Sequence, residues 1–147
     1  MSISRFLLFL SCLTLLSACG GGSSGGDDTP PTERSTTAVS GAGVKGPLAN
    51  AEVRAYRLDA SAADGKGQRL NSGSTGDNAA IQNLELSDST SGLVLIEVSA
   101  NDQTIDLTTD KAPIISRLTS IVPAEELLSG KPVYPTTLTT MASRIAL

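Results

Sequence analysis

Beyond residue 38 the apolar side chains of this chain tend to fall on every second position. Ala51, Val53 and Ala55 alternate with Glu52, Arg54 and Tyr56, and Ile105 and Leu107 alternate with Thr104, Asp106 and Thr108. A period of two is the period of a strand with one face in a core and the other in water. Leu93-Val94-Leu95-Ile96-Glu97-Val98 is nearly continuous in apolar character and predicts a strand buried on both faces. Ile114 to Val122, rich in β-branched residues and bounded by Pro113 and Pro123, predicts another, and Ile81, Leu84 and Leu86 mark a less regular one. Val39 to Val44 and Leu48 flank a Gly46-Pro47 turn signal. Six or seven short strands separated by turn residues predict a mainly β domain, an antiparallel β-sandwich over residues 38–123.

Residues 124–147 break the alternation. Ala124 to Leu128, closed by Gly130, predicts a turn or two of helix, with Glu125 and Glu126 at the end where the helix dipole favours negative charge. Thr136 to Leu147 places Leu138, Met141, Ala142 and Ile145 at helical spacing, with Thr136 or Thr137 as N-cap. This helix has no stop signal. It reads either as a chain that once continued or as a short helix closing one end of the sandwich. Both Phe residues lie before residue 10, and Tyr56 and Tyr134 are the only other aromatics, so the core of the domain must be aliphatic.

Composition removes several functions. The chain has no His, which excludes Ser-His-Asp and Cys-His catalysis and imidazole metal sites. A formal charge of −4 argues against binding nucleic acid through its phosphates. No G-x-S-x-G occurs, and the Gly-rich stretches lack the Lys-Ser/Thr of a phosphate loop.

The N-terminus reads as a targeting segment. Arg5 precedes the uncharged run Phe6 to Leu16, which at 11 residues is too short to span a bilayer and suits a signal-peptide core. Leu16-Ser17-Ala18-Cys19 follows, directly before Gly20-Gly21-Gly22. All four positions resemble the lipobox of bacterial lipoproteins. The resemblance implies a signal peptide over 1–18, cleavage after Ala18, and lipid attached to the Cys19 sulfur and usually to its new amino group. Cys12 would be discarded with the signal, leaving the mature chain without a free thiol. More than one acyl chain on a single residue gives stable anchoring where one chain does not. By the same resemblance, Gly20 rather than Asp after the lipidated residue implies the outer membrane. Residues 19–37 then read as lipidated Cys and tether: Gly20 to Thr37 is Gly, Ser, Thr, Pro and charge, with too little to bury to offset its ordering entropy. As a flexible coil its 18 residues span about 25 Å.

Gly43-Val44-Lys45-Gly46-Pro47-Leu48-Ala49-Asn50-Ala51-Glu52-Val53 resembles the opening of carboxypeptidase regulatory-like domains, also called transthyretin-like. The resemblance covers about Val39 to Ala100, with Gly73 to Asn78 standing for the family's second turn. Ile81 and Leu84 stand where the family usually has an aromatic. The segment from Arg117 to Leu147 is similar to stretches that follow such domains in long bacterial surface lipoproteins. The resemblance implies an Ig-like or prealbumin-like sandwich used as a spacer or binding module and not as an enzyme.

Few of the remaining polar residues suggest chemistry. Asp59 to Asn78 reads as a long polar loop in which Asp59, Asp64 and Asp77 could offer oxygens to Ca²⁺, although EF-hand spacing is absent and a solvated hairpin loop is the simpler reading. Asp102, Asp106 and Asp110 recur every fourth residue in a segment that reads as strand and turn, so they read as solvated charge. Tyr56 and Tyr134 are too few for a sugar platform unless they converge, and Tyr56 shares a strand face with Glu52 and Arg54, where it is expected to be exposed. The sequence therefore predicts a non-enzymatic, lipid-anchored envelope protein whose only chemistry-bearing residue is Cys19. No metal or other cofactor is expected. Its partners would be the membrane and an unidentified protein, with no nucleic acid and no small-molecule ligand. The alternative is the N-terminal adhesion or binding module of a longer surface protein, stabilised by Ca²⁺.

Overall fold

A computed structural model describes residues 34–44 and 46–147. The signal peptide, Cys19 and most of the tether lie outside the described residues. The strands are β1 (Thr36–Ala38), β2 (Leu48–Ala49), β3 (Glu52–Leu58), β4 (Lys66–Thr75), β5 (Ile81–Gln82), β6 (Glu85–Ser87), β7 (Leu93–Ser99), β8 (Ile105–Asp106) and β9 (Arg117–Pro123). Two helices follow, α1 (Ala124–Leu128) and α2 (Thr137–Ala146). The fold is mainly β and antiparallel. One five-stranded sheet runs β5-β4-β3-β7-β9, and two ribbons, β1-β6 and β2-β8, complete the β structure.

Register decides which residues share a face. Val53 lies opposite Val98, Ala55 opposite Ile96, and Val98 in turn opposite Leu118, so these side chains project from one side of the sheet. There they meet Ile81 from β5 and Val39, Leu48, Leu84 and Leu86 from the ribbons and connections, with Leu127 and Val133 closing the end. The core is aliphatic throughout, as the lack of Phe and Trp requires. β1 starts at Thr36, inside the stretch whose composition reads as tether. Thr36 pairs with Ser87 and Thr37 with Leu86, and the Thr37 hydroxyl donates to Asp88 at 2.7 Å. The hydroxyls of Ser35 and then Thr37 hold the Asp88 carboxyl below the ordinary aspartate range.

β7 is buried on both sides, as its composition predicts. Val94, Ile96 and Val98 face the core, while Leu95 and Glu97 are equally buried on the outer side. The helix starts also follow the sequence. Thr136 caps α2, accepting from the Thr139 amide at 3.0 Å while the Thr139 hydroxyl accepts from the Thr136 amide at 2.7 Å.

Three expectations fail in one informative way. Ile105 and Leu107 are exposed, and it is Thr104 that is buried, donating to the Asn50 carbonyl at 3.2 Å and accepting from the Asn101 amide at 2.8 Å. Strand β9 starts at Arg117 and not at Ile114, whose side chain is fully in solvent. Helix α2 packs inside out: Leu138, Met141 and Ile145 point to solvent, and Ser143 is buried. For the helix, the reason lies at the edge of the sheet. β9 is the last strand, so Thr119 has an amide and a carbonyl with no neighbouring strand. Thr140 Oγ1 accepts from the Thr119 amide at 2.8 Å, and Thr139 Oγ1 donates to its carbonyl at 2.7 Å. Satisfying those two groups orients the helix more strongly than burying its apolar stripe does.

A prediction separates the two faces of α2. Changing Leu138 and Ile145 together to Gln should move the unfolding free energy by no more than about 0.5 kcal/mol, because neither side chain is buried. Thr139→Val should cost about 1–2 kcal/mol, since it leaves the Thr119 carbonyl with only the longer contact from the Thr140 hydroxyl and opens the capping box. Urea denaturation of the two variants checks the order.

Candidate functional site

The outer face of the sheet carries charge. Tyr56 pairs with Leu95, Arg54 with Glu97, and Glu97 with Thr119, so a row of polar side chains crosses β3, β7 and β9 on the side away from the core. Glu97 sits at its centre and is 1% exposed. Lys66 Nζ lies 2.7 Å from Oε2, Arg117 Nε 3.4 Å from the same oxygen, and Arg54 Nη1 3.9 Å from Oε1. None of these contacts has the alignment of a hydrogen bond, and among the described residues neither carboxylate oxygen accepts one. Lys66, at 2.7 Å, is the nearest of the three cations that balance the buried carboxylate. Arg54 spends its own bonds on Glu52, donating through both Nε and Nη2.

Each member is placed by a local feature. Glu97 interrupts the apolar run of β7, and strand alternation turns it away from Ile96 and Val98. Lys66 opens β4 opposite Leu58, beyond register irregularities in the β3–β4 pair, and its ammonium stands 5.3 Å from the centre of the Tyr56 ring. Arg117 opens β9. Helix α2 and the turn before β4 wall the row into a cleft of about 340 Å³. Thr140, Ser143 and Arg144 line it from the helix, Asp64 and Lys66 from the turn, and Leu95 and Glu97 from its floor. The Leu147 side chain packs so closely on Gly65 that a β-carbon there would collide with it.

The residues singled out from sequence fall elsewhere or outside. Cys19 lies outside the described residues. The stretch 59–78 is not one loop: its middle is the ten-residue strand β4, paired with β3 on one side and β5 on the other. Asp59 turns the chain after β3, accepting from the Ser61 amide at 2.9 Å. The Ser61 hydroxyl, and then that amide, hold its carboxyl below the ordinary aspartate range. Asp64 reaches the Lys66 amide at 3.2 Å, Asp77 is exposed, and Asp106 accepts from the Thr108 amide at 2.8 Å. Among the described residues no three His, Cys, Asp or Glu side chains are grouped to hold a metal ion. Tyr56 is half-buried beneath Lys66 and less exposed than its neighbours on the strand suggest, whereas Tyr134 is exposed beside Val133. Sequence reasoning missed the Glu97 cluster. The available signal was a lone acid inside an apolar run, which is costly unless cations meet it.

No family pattern, no curated protein and no solved structure matches the chain. The likeness to carboxypeptidase regulatory-like domains therefore rests on residues 43–53 themselves.

Proposed function

We propose that this chain is a non-enzymatic, lipid-anchored protein of the bacterial cell envelope. It is held through Cys19, at the outer membrane, and presents its β domain as a spacer or interaction module. The observation that carries this reading is the apolar run Phe6–Leu16 ending in Leu16-Ser17-Ala18-Cys19 before Gly20-Gly21-Gly22. One further feature supports it: residues 20–35 place 16 residues between Cys19 and the start of β1, and a Gly- and Ser-rich sequence of that length has a reach of about 20–24 Å. Among the described residues no helix is long and apolar enough to cross a membrane.

Metabolic labelling with a clickable fatty acid tests it. The wild type should carry label and sediment with membranes. Cys19→Ala should lose all label and leave the pellet. Label retained by Cys19→Ala would end the proposal.

A binding or adhesion module is the second reading. It is favoured by the outward apolar stripe of α2, where Leu138 and Ile145 are 75% and 85% exposed.

A further inference from the structure

We propose that the outward face of α2 docks on the surface of the lipid bilayer, so that the domain is held by two contacts, one covalent and one apolar. This rests on the lipid anchor proposed above and names what that anchor holds the domain against.

Helix α2 has two unlike sides. Leu138, Met141 and Ile145 are 75%, 62% and 85% exposed. At about 100° per residue they fall within about 60° of arc around the helix. Thr139, Thr140 and Ser143 occupy the opposite side, where Ser143 is buried and the two threonine hydroxyls bond to Thr119 of β9. The helix is therefore pinned with its apolar stripe turned outward. Among the described residues nothing covers that stripe, and such a patch marks a contact with something outside the domain.

Size, charge and reach choose the occupant. A stable contact between two proteins buries about 800 Å² on each. Three side chains on a ten-residue helix fall well short of that, whereas a helix lying among lipid headgroups needs no matched partner surface. The chain has a formal charge of −4, yet from Tyr134 to Leu147 no side chain is acidic and Arg144 is the one charged side chain. With the Leu147 carboxylate counted, this segment is neutral, so an anionic membrane repels it less than it repels the acidic remainder. Arg144 is exposed on the flank of the stripe, where its stem can lie along acyl chains and its guanidinium among phosphates. Reach is sufficient. Gly41 and Val133 form a bridge, and each stands five residues away, the first from Thr36 of β1 and the second from Leu138 of α2. Even fully extended, those two stretches put the start of β1 at most about 40 Å from the stripe. The 16 residues 20–35 extend to about 55 Å, so α2 can touch the bilayer that holds Cys19. The encounter is then intramolecular, and a contact too weak to hold a free protein suffices.

The test uses the mature lipidated protein in vesicles of phosphatidylethanolamine and phosphatidylglycerol. With Cys12 removed and the Cys19 sulfur lipidated, Met141→Cys introduces a single thiol for a fluorophore. Asp77→Cys, exposed in the turn between β4 and β5 at the far edge of the sheet, is the control. Spin-labelled lipids should quench the probe at position 141 several-fold more than the probe at position 77. Adding Leu138→Gln and Ile145→Gln should bring the two to the same level at an unchanged melting temperature, because neither side chain is buried. Equal quenching at the two positions in lipidated protein, or quenching at position 141 that survives the Gln pair, overturns the docking. A probe at position 141 that is shielded only as protein density rises also overturns it, by placing a second copy on the stripe. Mass spectrometry of the same protein reports the anchor separately. A bare Cys19 overturns both proposals, whereas a lipidated Cys19 with an unquenched probe at position 141 overturns the docking alone.

Discussion

Replacing Gly41 by Ala should destabilise the domain by at least about 3 kcal/mol, the largest loss expected from any single methyl group added to it. Gly41 has φ of +144°, a conformation that side-chain-bearing residues rarely adopt. A β-carbon built there would also run into the Val133 carbonyl. That neighbour is backbone and cannot swing aside, because the two segments are bonded on both sides of the contact. The Ala42 amide donates to the Val133 carbonyl at 3.1 Å, and the Val133 amide to the Ser40 carbonyl at 2.9 Å. Gly92→Ala is the control. Gly92 has φ of +81° with nothing within 4 Å of a β-carbon, so Ala there meets conformational strain alone, about 1–2 kcal/mol. In urea, Gly41→Ala should shift the midpoint well below that of Gly92→Ala with the slope unchanged. Equal midpoints would mean that the Gly41–Val133 crossing carries no stability.

Thr75→Val should cost about 2–4 kcal/mol although the two side chains have nearly the same shape. Thr75 is 2% exposed, and its hydroxyl does two tasks. It donates to the Leu48 carbonyl at 2.6 Å and accepts from the Ala51 amide at 2.8 Å. Those bonds lock the turn around Asn50, which itself has a positive φ of 58°. Valine would leave a buried carbonyl and a buried amide without partners. Thr75→Ser keeps the hydroxyl and loses one methyl group, so it should cost about 1 kcal/mol. Calorimetric unfolding of the pair decides between the hydroxyl and the packing: if Ser costs as much as Val, the bonds are not the source of the stability.

The parts of the fold legible in the sequence are those in which side chains meet side chains. The alternation of Val53 and Ala55 with Glu52 and Arg54 maps directly onto β3, and the double burial of Leu93–Val98 onto β7. Helix α1 falls on Ala124–Leu128 as the sequence predicts, and α2 is capped by Thr136. What stayed hidden is where a side chain meets backbone. β4 reads as loop because its core side carries almost nothing apolar. At Gly73 a β-carbon would strike the backbone of Gln82 to Leu84, so the neighbour there is a crossing chain and a bare glycine is required. Thr75 and Thr104 are buried and Thr139 half-buried because they serve stray amides and carbonyls, a demand that hydrophobic periodicity does not record. The Glu97 cleft was invisible for a related reason. Its members come from four separate elements, β4, β7, β9 and α2, and only the register of the sheet brings them together.

The hydroxyls that α2 lays along β9 have a consequence at the scale of populations. Molecules tethered to one surface meet one another at far higher local concentration than they would in free solution. An open strand border under those conditions is a template on which neighbours stack into fibrils. Thr139 and Thr140 occupy the amide and carbonyl of Thr119 that such stacking would start from. Under the lipid anchor proposed above, crowding would bring these domains side by side with that pair of edge groups already taken.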